Sequence, residues 1–227
     1  MSKTYRRAIA RELHARAKEA QWSVVSHAAI VGRGHIIDIK GESMRLSEPR
    51  IPALEPDQWN AAAQEIMAPF VKQGRTFNIF KTLCNHPDLA KRWLVFGNHI
   101  LGKSTLPVRE RELVILRIGY LCQSGYEWGQ HVLIAREAGM TDAEIRSCKT
   151  GPTTPGLSDL DRLLLSATDE LHADAHIGDD TWNALSALLS REQMMDLVFT
   201  VGQYNLVSMA LNSFGVQPDA GLPGWDV

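Results

Sequence analysis

Cysteine is scarce in this chain of 227 residues, which holds only Cys84, Cys122 and Cys148, widely spaced. An odd, sparse set excludes a disulfide framework and leads us to expect a reducing compartment, the cytoplasm. No run of about 18 uninterrupted apolar residues occurs, so no segment reads as a bilayer span and no membrane association is expected. Lys3, Arg6 and Arg7 open the chain without an apolar stretch behind them, which does not fit a signal peptide. Charge of one sign is lacking too: 24 Lys/Arg against 26 Asp/Glu give a net charge of −2, no general attraction for nucleic acid. With 44% apolar residues and ordinary glycine and proline content, disordered and collagen-like chains are also excluded. What is left is one or two globular domains with ample apolar surface for a core.

Familiar catalytic signatures are equally missing. There is no G-x-S-x-G elbow, no Walker loop and no H-E-x-x-H, and Gly32-Arg-Gly34 lacks the third glycine and following helix of a dinucleotide site.

The charge that is present is unevenly placed. Residues 1–45 hold nine Lys/Arg against four Asp/Glu, while the rest holds 15 against 22. We therefore expect three parts: a basic extension over residues 1–43 with a helix from Thr4 to Ala20, a proline-punctuated lead-in over 44–55, and a domain over 56–227. In that domain helix starts recur. Pro56 suits a first helical position, Asn85-His-Pro-Asp88 opens a second helix, and Pro107 opens a third from Val108 to Leu121. Thr141 with Glu144 and Ser190 with Gln193 are spaced as capping boxes, and Gly139 sits where a helix ending at Ala138 takes a left-handed cap. Period-two strand patterns are absent, so the fold class is all-α. Leu113–Leu121 and Leu197–Val216 are apolar nearly all round and read as buried helices, with Thr150–Gly156 a loop between two helical halves.

One segment carries chemistry. In Cys122-Gln-Ser-Gly-Tyr-Glu-Trp-Gly-Gln-His131, Glu127 and His131 are one helical turn apart and share a face. A carboxylate there accepts a ring N–H, fixes the tautomer and makes the other nitrogen more basic. Tyr126, Trp128 and Val132-Leu-Ile134 flank the pair with apolar surface, which argues against a solvated face.

Together Arg109-Glu-Arg-Glu-Leu-Val-Ile-Leu-Arg117, Glu127-Trp-Gly-Gln-His131 and Ala138-Gly-Met-Thr-Asp-Ala-Glu-Ile145 resemble the carboxymuconolactone decarboxylase / alkylhydroperoxidase D superfamily. The resemblance extends more loosely over about residues 56–216 and does not cover 1–43. It implies an all-helical bundle assembled as trimers or hexamers, with sites near subunit contacts. Laying the peroxidase-branch pattern on this sequence puts Glu112 on its glutamate, Ser124 and Glu127 on its C-x-x-C pair, and His131 on its histidine. Without two thiols the disulfide cycle of that branch cannot run. The decarboxylase-like branch, which the Glu-x-x-x-His arrangement resembles, implies no metal and no organic cofactor.

The residue types suit loss of carbon dioxide from a small carboxylated, lactone-like substrate, which needs stabilisation of an enolate-like carbanion and a proton for carbon. His131 with Glu127 is the expected acid–base pair. Glu112 reads either as a second carboxylate of the site or as a partner of Arg109 or Arg111. Those arginines read either as a bidentate grip on a substrate carboxylate or as structural ion pairs. Ser124 reads as a hydrogen-bond donor or a helix N-cap; Tyr126 and Trp128 read as walls of the site. The alternatives are a redox enzyme using Cys122, otherwise a small core residue, and a non-catalytic small-molecule-binding oligomer. His172 and His176, four apart beside Asp174 and Asp179, fit a metal or, more simply, a solvated turn. His99 reads as a pocket or core histidine, and Gln203, Tyr204 and Asn205 on a buried helix must find partners.

Overall fold

Without period-two patterning the described residues form α-helices and no strand. The structure, a computed structural model, describes residues 44–227, within the compact unit Gly41–Val227. The expected basic extension and the Thr4–Ala20 helix lie outside the described residues. The elements are α1 (Ala61–Lys72), α2 (Asn78–Leu83), α3 (Pro87–Gly102), α4 (Val108–Leu121), α5 (Gly125–Glu137), α6 (Asp142–Thr150), α7 (Asp159–Asp174), α8 (Asp179–Ser186) and α9 (Arg191–Phe214). None of these is long and apolar enough to cross a membrane.

The sequence start signals are realised at α3, α4, α6 and α9. Pro107 precedes the first turn of α4, and both capping boxes close, Thr141 Oγ1 on the N–H of Glu144 and Ser190 Oγ on that of Gln193. Gly139 takes φ +85°, and its N–H reaches the Arg136 carbonyl after α5. Two starts differ from expectation. Pro56 opens only a 3-10 turn, Pro56–Gln58, because the side chain of Asn60 accepts from the N–H of Ala63 and caps α1 four residues later. The short helix α2 was not foreseen; its core partners come from α1 and the lead-in rather than from its own spacing.

The core is built round α4. Residues 111–119 are all buried, and α4 packs against α5, α6, α7 and α9. Each fully buried Leu, Ile or Val there stabilises the fold by roughly 1.5–3 kcal/mol. Because α4 touches helices on both sides of the 150–156 loop, that loop divides no domain. Helix α9 departs from the expected all-round burial: Met195, Phe199, Leu206 and Met209 are each more than half exposed, while Leu197, Val201, Tyr204 and Leu211 face inward. Both faces are apolar, so composition alone could not tell them apart. The last ten residues return to the bundle, where Trp225 packs on Trp128 and Tyr120.

Candidate functional site

The turn from α4 to α5 is tight: Cys122 ends α4, Gln123 takes φ +52°, and Ser124 precedes α5. The two helices therefore run back along each other, bringing the first turns of α4 beside the middle of α5. The result is a buried row of three titratable groups. His131 Nε2 lies 2.9 Å from Glu127 Oε1, and His131 Nδ1 lies 2.5 Å from Glu112 Oε2. Glu112 is fully buried; Glu127 and His131 are about one-twentieth exposed. Gly119 of α4 lies against the stem of Glu127, where a Cβ would stand in contact at 3.4 Å from Cγ. Arg111 Nε, 3.4 Å from Glu112 Oε1, partly balances the second carboxylate. Glu112 thus contacts the histidine and pairs with Arg111 at once.

With a carboxylate on each ring nitrogen, both nitrogens are best used as donors. Burial alone favours neutral imidazole, but the charges and hydrogen bonds of Glu112 and Glu127 outweigh it and push the His131 pKa up to about 10. The ring is therefore an imidazolium at neutral pH, holding one proton to each side.

Glu127 and His131 line a cavity of about 500 Å³. Its outer walls, from α1, α2 and α3, are apolar and aromatic, including Phe70, Phe77, Phe80 and Trp93. Its floor, from α5 and α9, is polar: Tyr126, Gln130, Gln203 and Tyr204 join the pair. The Tyr204 ring stands edge-on to the imidazole, with centroids 4.8 Å apart.

Several expected site residues lie elsewhere. Arg109 is a correction: its guanidinium holds Asp161 at 2.8 and 3.0 Å and Glu144 at 2.6 Å, tying α4 to α6 and α7, and it does not line the cavity. Arg111 faces Glu112 and not the cavity. Trp128 is also corrected, since it is fully buried, donates its indole N–H to the Gly224 carbonyl and packs on Trp225. Ser124 occupies the N-cap position of α5, yet its hydroxyl makes neither a cap bond nor any other hydrogen bond. Tyr126 does line the cavity, but its hydroxyl donates to Asp219 at 2.5 Å and accepts from the N–H of Ile79, leaving the ring as the working surface.

Cys122 sits outside the cavity lining, its thiol donating to Asn205 Oδ1 at 3.1 Å; burial pushes its pKa up to about 11, away from reactive thiolate. His172 and His176 lie at and just beyond the end of α7, and no cluster able to hold a metal occurs among the described residues. His99 is half-exposed and 3.4 Å from Asp196 Oδ1, neither in the pocket nor in the core. Arg75, in the turn between α1 and α2, was missed: it is the one Lys or Arg side chain lining the cavity among the described residues. Nothing in local sequence marks it, because its partners are brought near by packing.

Residues 87–159, which contain Glu112, Glu127 and His131, match the model of the carboxymuconolactone decarboxylase family. The match covers about a third of the chain, and it is the segment that carries the buried row. Its fold is similar to an alkylhydroperoxidase AhpD-core, uncharacterised peroxidase-related protein of Ralstonia eutropha JMP134, with 19% identity, 76% of this chain and 93% of that one covered, and a TM-score of 0.66. An uncharacterised peroxidase-related protein of Silicibacter sp. TM1040 gives 16%, 80%, 94% and 0.66. The debrominase Bmp8, solved with 2,3,4-tribromopyrrole, gives 13%, 77%, 94% and 0.64. No curated protein matches the chain.

Proposed function

We propose that the protein is a carboxymuconolactone decarboxylase-like carboxy-lyase that acts on a small carboxylated substrate, lactone-like or otherwise conjugated, using acid–base chemistry of its own side chains. The observation that carries the reading is His131 held between Glu112 and Glu127 at the floor of an apolar cavity. The substrate's conjugated body packs against the aromatic wall. Arg75 at the rim takes a substrate carboxylate, the role the sequence had offered to Arg109 and Arg111. The bond from carbon to the leaving carboxylate breaks, its electron pair enters the conjugated system as an enolate, and carbon dioxide departs. Both ring nitrogens face carboxylates, so the proton reaches carbon through the Glu127 end of the row. It starts on His131 Nε2, passes to the Glu127 carboxylate and from there to carbon, and solvent returns a proton to the neutral imidazole. General acid catalysis of this kind contributes about 10²–10⁴-fold.

The redox alternative has less support, because Cys122 lies outside the cavity and its thiol is held protonated. A purely binding role leaves the buried proton row without a task.

The proposed assembly is a homo-oligomer, a trimer or hexamer, in which a second copy covers Met195, Phe199, Leu206 and Met209 on α9. An exposed apolar stripe of this length on a helix is the kind of surface that subunit contacts bury.

The test is release of carbon dioxide from a panel of carboxylated lactones and conjugated acids, compared between the wild type and Glu127→Gln. A substrate turned over by the wild type and lost in the variant is the expected result; equal turnover by both ends the proposal.

A further inference from the structure

The row Glu112–His131–Glu127 handles a proton, but decarboxylation also needs somewhere for the electron pair to go. The carbonyl oxygen that becomes an enolate oxygen needs hydrogen-bond donors aimed at it, and the acid–base row is negative at its ends. Two other side chains in the cavity are donors with nothing to donate to. Tyr204 and Gln203 are each about one-twentieth exposed and both line the floor. Among the described residues, neither the phenol nor the carboxamide finds a hydrogen-bond partner, and both residues open onto the cavity. Both come from α9, across the cavity from the α1–α3 wall. The Tyr204 ring stands edge-on against His131, with 84° between planes, and both residues line the cavity. The Gln203 amide lies beside Gly97 of α3, where an added Cβ would make ordinary contact with Nε2 at 3.7 Å.

Resting on the decarboxylase reading, we infer that the Tyr204 hydroxyl and the Gln203 amide are the donors that bind the substrate's carbonyl oxygen and stabilise it as an enolate. This narrows the substrate class to acids whose leaving carboxylate is β to a carbonyl or joined to one through a double bond. When the carbon–carbon bond breaks, its electron pair moves onto the oxygen facing Tyr204 and Gln203. When the proton relayed from His131 through Glu127 reaches carbon, the pair returns and the carbonyl reforms. Burial and the nearby Glu127 and Glu112 charges hold the phenol far above its ordinary pKa, so Tyr204 donates a hydrogen bond without losing its proton.

The test needs no turnover. Acetophenone, a neutral aromatic carbonyl, is bound to the full chain and its carbonyl stretch is read by infrared difference spectroscopy with a ¹³C label. The expected result is a stretch at lower frequency in the wild type than in Tyr204→Phe or Gln203→Met, with affinity weakened about fivefold per donor removed. The same frequency in wild type, Tyr204→Phe and Gln203→Met overturns the inference, as does failure of the wild type to bind acetophenone. A frequency that changes only in His131→Asn assigns the contact to the imidazole instead. Failure of the proton-row reading is recorded separately, as unchanged turnover in Glu127→Gln with the infrared shift intact.

Discussion

His131 Nδ1 lies 2.5 Å from Glu112 Oε2, a contact that spans two helices and closes the ring nitrogen left over by Glu127. A single Glu–His pair on one helix would leave that nitrogen free to work as a base on the substrate. With Glu112 in place the imidazole becomes the middle of a row and Glu127 its outward end. Replacing Glu112 by Gln should therefore lower the His131 pKa from about 10 toward its ordinary value. The alkaline limb of the activity profile should move down with it, as read by imidazole ¹⁵N titration alongside rate measurements.

Stability should follow the same proton. The folded-state pKa of His131 is raised, so its contribution is complete below the unfolded value of about 6.5 and fades as pH rises toward about 10. Melting temperatures of wild type and His131→Asn should differ most near pH 6 and converge by pH 10; a gap that widens over that range would contradict the row.

Arg109 is assigned a structural task. Arg109→Ala leaves Asp161, buried in the first turn of α7, without its guanidinium, and breaking such a pair costs about 3–5 kcal/mol. The expected signature is a large fall in melting temperature with KM for substrate little changed where the variant still folds. A rise in KM without loss of stability would return Arg109 to the site.

Arg75 should behave in the opposite way. Arg75→Gln changes an exposed turn residue, so stability should stay within about 0.5 kcal/mol. KM for a carboxylated substrate should rise about tenfold, and affinity for the matching methyl ester should not move. Equal effects on acid and ester would exclude charge recognition.

For the assembly, Leu206→Glu together with Phe199→Glu should lower the mass seen by sedimentation to that of one chain, because two charges cannot be buried unpaired in an apolar contact. An unchanged mass would place the interface elsewhere.

Much of this was readable in the sequence. The capping boxes at Thr141 and Ser190, the Pro107 start and the left-handed Gly139 are local devices whose partners lie within four residues, so the helices they bound could be named from spacing alone. Glu127 and His131 were legible for the same reason. What was not legible depends on packing between distant segments. Whether Arg109 grips a substrate or Asp161 depends on how α7 lies against α4. The aromatic wall of α1 to α3 and the rim residue Arg75 are set against α5 and α9 by the fold. The split of α9 into a buried face and an exposed one was hidden because both faces carry Leu, Met and Phe or Val.

On the proposed reading, the buried row moves a proton to the carbon that loses its carboxylate. Its most direct test is the rate of carbon dioxide release by His131→Asn, measured at saturating substrate beside the wild type. The expected kcat is lower by about 10²–10⁴-fold with the fold retained; a folded His131→Asn protein with wild-type kcat would overturn the proton row's role.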